Sequence, residues 1–565
     1  MGPQGGKKDI TPPRVARSMP AQNETNVSSQ RIEINFDEYV LLEDAYNNVT
    51  VSPPQKRMPV IKLAGKKITV ELKDTLQPNT TYTIDFGSAI ADNNEKNVLP
   101  NFAFAFSTGA ELDTLQISGT LFDAQTLDPI ANTLTGIHSN LSDTAFTTLP
   151  FDRITKTDAN GRFAVKNVKA GDYRVFALSQ NVNDGYRFDP KSPVAVAFSE
   201  NILQPDTLSK DTAKIADSLR FNNLILFQYE EKKADTLTIE AKRERKEKFT
   251  LTFNKELNDV SQIEARNFEL TESAFKVSPK RNEITFWLDS TLAKIDTLHL
   301  VVKHLTEKID SVHILLGEGF NKITIDSISA TNLAKKDNNA KIQLITNNIT
   351  GGKLEYYDSL KLFFDVPVKD STFKKIHLRH GKDTVDMPIS FRKTDNYPYL
   401  NSYTVIAPLE ESENYTLTID SAAVFDVFGK ATDKASIGFK RRALSEYSTL
   451  ALDLQPFDSR IVVELLDEKD QPLRQSKAES DGTYFDYVEA GNYYLRLFID
   501  ENGDETWNGG SYAEQRQPEK VYYYPKKITL RANWEVREDW SYSTLPIWQQ
   551  KPQELKGKTT TKKQN

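Results

Sequence analysis

Two kinds of residue could do chemistry in this chain: its 79 acidic side chains and its six histidines. Its 565 residues include no cysteine. His304-Leu305-Thr306-Glu307 has the H-x-x-E spacing of a zinc-ligand pair, and His377 or His380 would have to supply a third ligand in space. His304, however, follows Leu300-Val301-Val302 at the end of an alternating β pattern, and a chain this acidic produces such a pair easily. A zinc enzyme is therefore not expected, and His377-Leu378-Arg379-His380 reads as a solvated strand end. Without cysteine, nucleophilic catalysis would need a Ser-His-Asp set. Neither a Gly-x-Ser-x-Gly elbow nor a Gly-rich phosphate loop is present. Paired carboxylates of the glycosidase kind are a spatial property that acidic composition alone leaves open. The expectation is a non-enzyme.

One loop has a ligand-like spacing. Asp500-Glu501-Asn502-Gly503-Asp504 sets Asp500, Asn502 and Asp504 in a D-x-N-x-D pattern, three oxygen donors on one side of a tight loop, as calcium requires. Position 12 of an EF-hand would fall on Ser511 rather than a bidentate Glu, so an EF-hand is excluded. The competing reading is a plain turn whose Asn and Gly tolerate left-handed backbone. The related stretch Ser179-Gln180-Asn181-Val182-Asn183-Asp184-Gly185 lacks the first Asp and is not expected to bind. No other cofactor is expected.

The elements around these residues are strands. Thirty Phe and 22 Tyr, with frequent Thr, Val and Ile, favour pleated surfaces. The length calls for roughly four to six domains. A net charge of −7 describes a soluble surface and gives no basic face for nucleic acid. The longest apolar runs, Leu224 to Phe227 and Val194 to Phe198, are far shorter than the ~20 residues of a membrane helix. The opening Met1-Gly2-Pro3-Gln4-Gly5-Gly6-Lys7-Lys8 reads as a flexible tether.

Two sequence grammars repeat. In the first, Lys67 to Glu71 and Tyr82 to Phe86 alternate as half-buried strands. Leu76, Pro78 and Tyr82 lie between them in an L-x-P-x-x-x-Y step, the spacing of a sandwich corner closed by a Tyr hydroxyl. Asp92-Asn93-Asn94 then turns the chain, and Phe102, Phe104 and Phe106 share one face. Leu409 to Tyr415 repeats the step, with Asp426 to Gly429 as its turn. A weaker copy runs over 283–303, with Leu292 and Leu298 but no Tyr. In the second grammar, Gly161, Val165, Val168, Ala170-Gly171, Tyr173, Val175 and Ala177 are answered by Gly482, Ala490-Gly491, Tyr493, Leu495 and Leu497. The aromatics Trp507, Tyr522 to Tyr524, Trp534, Trp540, Tyr542 and Trp548 suit the packing of a last sandwich against its neighbour, with a sugar or protein platform as the alternative.

The 66–109 stretch, with Pro12-Pro13 and Phe36-Asp37-Glu38 before it, resembles the bacterial Ig-like domain of surface-layer proteins. The NGRF…AGDYRV segment (160–175) resembles the transthyretin-like, carboxypeptidase-regulatory-like module. Their order, and the PQGG…DITPP opening, resemble an Ig-like-domain lipoprotein family of Bacteroidota. The implied fold is all-β, a tandem of Greek-key β-sandwich domains of Ig-like and transthyretin-like type. The expected order is a tether at 1–11, an Ig-like domain at 12–109, a transthyretin/carboxypeptidase-regulatory-like domain at 110–205 and a linker at 206–220. A degenerate Ig-like sandwich at 221–320, an Ig-like domain at 321–444, a transthyretin-like domain at 445–550 and a disordered tail at 551–565 follow.

The resemblance also implies a lipidated cysteine ahead of the tether and an outer-membrane location, facing periplasm or cell surface. The expected role is a non-catalytic spacer, scaffold or accessory subunit docked on outer-membrane proteins of an assembly, secretion or transport complex. The alternative is a glycan- or peptide-binding surface protein. Asp-(Ser/Thr)-(Ala/Ile/Leu/Val/Met/Thr) tripeptides, which resemble Bacteroidota O-glycosylation acceptors, occur fifteen times, against about three expected at ordinary composition. Thr114, Thr207, Ser327 and Thr384 are the candidates. The competing reading is a strand start, a turn-forming Asp followed by two strand formers.

Overall fold

The computed structural model describes residues 9–179, 185–190, 194–207, 224–230, 239–245, 247–253, 263–269, 274–278, 282–288, 291–295, 297–303, 309–315, 344–364, 366–368, 373–393, 402–426 and 429–556. Its regular secondary structure is nearly all strand, arranged in five successive sandwich modules. Among the described residues no helix is long and apolar enough to cross a membrane.

The first module packs the sheet Val15–Met19, Arg31–Phe36, Lys67–Glu71, Val60–Ala64 against Thr50–Ser52, Thr81–Gly87, Phe102–Ser107. Alternation sends Ile32, Ile34, Ile68, Ile84, Phe86, Phe104 and Phe106 inward. The L-x-P-x-x-x-Y step is a corner that carries the chain from one sheet to the other. Leu76 packs on the core, and the Tyr82 hydroxyl accepts the Gln77 N–H at 2.8 Å. At the second copy Leu409 packs on its core, and the Tyr415 hydroxyl accepts the Glu410 N–H at 2.7 Å. This corner joins Ser402–Ile406 in one four-stranded sheet to Asn414–Ile419 in the other. In the weaker copy Glu283–Trp287 leads through a short 3-10 turn, Leu292–Lys294, into Thr297–Lys303 of the facing sheet. Tyr82→Phe or Tyr415→Phe orphans a backbone donor, so each lowers stability by about 1–2 kcal/mol. Urea unfolding of the full chain followed by tryptophan-free far-UV signal tests this, and an unchanged curve would remove the corner's role.

The second grammar gives two modules with one strand order. Leu115–Asp123 pairs antiparallel with Arg162–Val168, and Tyr447–Gln455 with Thr483–Glu489. Leu134–His138 lies between Arg153–Lys156 and Arg174–Leu178, as Ile461–Leu466 lies between Pro472–Lys477 and Gly491–Ile499. Tyr173 and Tyr493 each donate to the carbonyl four residues back, at Lys169 (3.2 Å) and Glu489 (2.9 Å). Each module is completed by a parallel strand against its first. In the last module this is Glu535–Ser541 on Tyr447–Gln455.

In the second module the completing strand is Leu224–Glu230, paired parallel with Leu115–Asp123 and antiparallel with Ala195–Phe198. This corrects the expected boundary, which gave residues from 221 to the third sandwich. Parallel pairing needs a long return connection, so nothing local marks its partner. Asp206–Thr207 pairs with Leu115–Gln116, so the expected linker starts as a strand. A second correction concerns the tail. Lys551 is buried and Leu555 fully so, with Leu555 on a short 3-10 turn, Gln553–Leu555; residues 551–556 are therefore packed rather than disordered, because they cover an apolar surface.

Candidate functional site

Three arrangements bear on function: the acidic loop at 500–508, the seam between the second and last modules, and a cleft between the first and second.

Asp500 ends the Gly491–Ile499 strand and is buried. Its carboxylate accepts the backbone N–H groups of Gly503 (2.7 Å), Asp504 (3.3 Å) and Glu505 (2.9 Å). Asp504 accepts from the Thr506 N–H and hydroxyl, and from the Asn502 and Asn508 amides. These bonds hold the Asp504 carboxyl below the usual range against the opposing effect of burial. Burial pushes the Glu519 carboxyl beneath the loop up. Among the described residues no group of three or more His, Cys, Asp or Glu is arranged to hold a metal. Calcium would have to displace donors already bonded to Asp500. The expected result is therefore one melting temperature in EDTA and in millimolar calcium; a rise in calcium would establish the ligand loop.

The loop is also the root of an arm. Beyond it, Trp507 and Tyr512 lie against the core of the second module. The Tyr512 ring sits 5.1 Å from Phe146, 6.0 Å from Phe188 and 5.4 Å from Phe198, and its hydroxyl donates to the Asp143 carbonyl at 2.6 Å. Arg174 donates to the Gln515 side chain, and Gln517 donates to the Phe198 carbonyl. Gly510 makes the approach possible, because a Cβ there would lie 2.5 Å from the Tyr229 ring. Lys551 Nζ closes the seam between Asp128 and Asp470, 2.8 Å from each. The Tyr523 hydroxyl donates to Asp470, and Arg496 pairs with Glu464 beside it. Of the C-terminal aromatics, Tyr523, Tyr524, Trp540 and Tyr542 are buried in the last module, whereas Trp534 is 55% exposed. The Trp548 side chain lies outside the described residues.

The cleft holds about 1600 Å³. Thr50–Ser52 and Arg153–Lys156 are edge strands of their sheets, and they meet where the Ile154 N–H donates to Ser52 Oγ at 3.1 Å. Pro53 and Pro54 follow one edge and Pro150 precedes the other. They have no N–H to extend a ladder, so the edges part and the cleft opens. The modules are further pinned by Arg153 Nη2 on the Thr81 carbonyl (2.6 Å) and by Thr83 with Asn167 (2.9 Å). Arg153 forms the floor, 94% buried by its 6% exposure. Its Nη1 has no hydrogen-bond partner among the described residues.

Behind the cleft, His138 is buried between Phe151 (5.1 Å) and Phe176 (5.6 Å), and its Nε2 has no partner among the described residues. Burial holds its pKa below the ordinary histidine value. The unfolded chain takes up a proton as pH falls below about 6.5 while the folded one resists, so stability falls with acid. Urea midpoints should drop between about pH 7 and pH 5, and His138→Phe should flatten that drop. An unflattened profile would remove His138 as its source.

Of the remaining sequence candidates, His304 and Glu307 lie outside the described residues. His377 faces Asp386 (2.6 Å) and Asp420 (3.5 Å), and His380 faces Glu413 (3.1 Å) and Asp383 (3.6 Å). Both rings are partly exposed and engaged by carboxylates on a strand face. Thr114 is exposed just before the Leu115–Asp123 strand, and Thr384 is exposed in a turn. Thr207 is paired through its backbone, and Ser327 lies outside the described residues.

The fold so defined is that of a tandem β-sandwich protein with Ig-type corners. Residues 9–108 match the bacterial Ig-like domain family. Among solved structures, the S-layer protein rSbsC(31-844) is 13% identical with a TM-score of 0.13, covering 86% of this chain and 64% of that one. The N-terminal part of the bacterial S-layer protein SbsC is 17% identical at TM-score 0.13, covering 34% and 43%. The major pilin subunit BcpA of Bacillus cereus is 8% identical at TM-score 0.15, covering 76% and 98%. The chain thus spans less than two thirds of either surface-layer chain. No curated protein matches it.

Proposed function

We propose that this chain is a non-catalytic envelope scaffold, a lipid-anchored protein of the outer membrane that docks on membrane proteins of an assembly, secretion or transport complex. The observation that carries the reading is the seam between the second and last modules. A chain built to fold back and lock two distant sandwiches together, with a buried Asp128–Lys551–Asp470 set, is a rigid presenting surface. The Ig-like match at 9–108 and the transthyretin-like resemblance of the two locked modules support it. The lipid anchor and the O-glycans at Thr114, Thr207, Ser327 and Thr384 belong to the same proposal. Affinity purification of the lipidated protein from its native membrane tests it. Stoichiometric recovery of β-barrel proteins is the expected result, and a clean monomer that shifts only on glycan arrays would replace docking with glycan binding.

A further inference from the structure

The cleft between the first two modules has a chemistry of its own. Its lining carries Lys56, Arg57, Arg153, Lys169 and Arg187 against three carboxylates, Asp74, Asp152 and Asp189. This cationic balance stands out in a chain of net charge −7. The carboxylates are already engaged. Asp74 is bonded to the Arg57 guanidinium and to the Arg57 N–H, and Asp152 accepts the Ser139 N–H and hydroxyl. The Lys56 ammonium and the Arg187 guanidinium, both on exposed residues, have no partner among the described residues. At the floor, Arg153 approaches Asp113 only at 3.5 Å, and its Nη1 and the buried Gln55 Oε1 are unpartnered among the described residues.

The same lining narrows the ligand. Tyr82, Phe151, Tyr173 and Phe188 are buried behind the wall, and among the described residues Tyr186 is the one partly exposed ring of the lining, a narrow platform for a sugar to stack on. Prolines border the cleft on both edges, so a guest strand finds few donors to extend either sheet. What remains is recognition through side chains: ammonium and guanidinium groups on a rim of proline and Met58, fitted to carboxylates on an extended chain.

We infer that this cleft holds an acidic, Asp- or Glu-rich segment of a partner protein. The inference rests on the docking function proposed above and names the chemistry of its contact. The test is titration of labelled oligoglutamate into the full chain and into the triple variant K56E/K169E/R187E. All three residues are exposed, and the one bond lost is the exposed one from Lys169 Nζ to the Asn79 carbonyl at 3.1 Å, so the variant should keep its near-ultraviolet spectrum and lose no more than a few degrees in melting temperature. The expected result is salt-sensitive binding to the wild type, weakened at least about tenfold in the variant. Equal binding to both proteins, no binding to the wild type, or binding of oligogalacturonate in place of oligoglutamate would each overturn it. Purification from the native membrane separates the two readings. Partners kept by the triple variant refute the cleft and leave docking standing, whereas a wild type without partners refutes docking itself.

Discussion

Replacing Lys551 by Met is expected to destabilise the seam between the second and last modules by about 3–5 kcal/mol, the loss typical when one member of a buried ion pair is removed. Lys551 and Asp470 are both almost wholly buried, and Asp128 is mostly so. Without the ammonium, the Asp470 carboxylate keeps, among the described residues, only the Tyr523 hydroxyl while its charge stays away from water. Coulomb attraction in the seam does not by itself make the set favourable, since burial of three charges is expensive. The asymmetry is the point, because breaking the set costs far more than replacing it whole. D470N added to K551M should therefore recover part of the loss, as Asn can still accept from Tyr523. The measurement is a two-mutation cycle read in urea, with the transition of these two modules followed separately from the rest. Additive losses would show that Lys551 and Asp470 are not coupled.

The second large effect is at Tyr512. Tyr512→Ala removes a ring packed among Phe146, Phe188 and Phe198 and the bond to the Asp143 carbonyl. Large-to-small changes of this kind cost about 3–5 kcal/mol. The ring belongs to the last module and the pocket to the second, so the loss should fall on the seam rather than on either sandwich. The expected result is faster proteolysis around residues 509–517 and a larger radius of gyration, with the strand signal unchanged. An unchanged radius would mean the seam holds without the arm. Tyr512→Phe, which keeps the ring, should lose only about 1 kcal/mol.

Much of the architecture was legible before the structure. The L-x-P-x-x-x-Y step specifies a corner because its parts are local: a Leu that packs, a Pro that bends and a Tyr whose hydroxyl reaches a backbone N–H five residues back. Strand alternation is local for the same reason, and the Gly-to-Tyr pattern of the second grammar marked two modules that share one strand order. Leu224–Glu230 was misassigned because its partner, Leu115–Asp123, lies more than a hundred residues away and parallel pairing leaves no turn between them. Lys551 looked like the start of a lysine-rich tail, since nothing in a run of charges reveals that two distant carboxylates wait for one of them.

The sequence by itself thus determined the local grammar: strands, corners, and turns such as the Asp500 loop, whose own hydrogen bonds shape it. The tertiary structure alone decided which distant surfaces meet. It made the 500–517 segment an arm reaching from the last module to the second, and it opened a cationic cleft where two proline-bordered edges part. Both outcomes depend on contacts across 84 to 423 residues. The free energy of such contacts comes from burial and charge pairing between surfaces that no sequence window contains together.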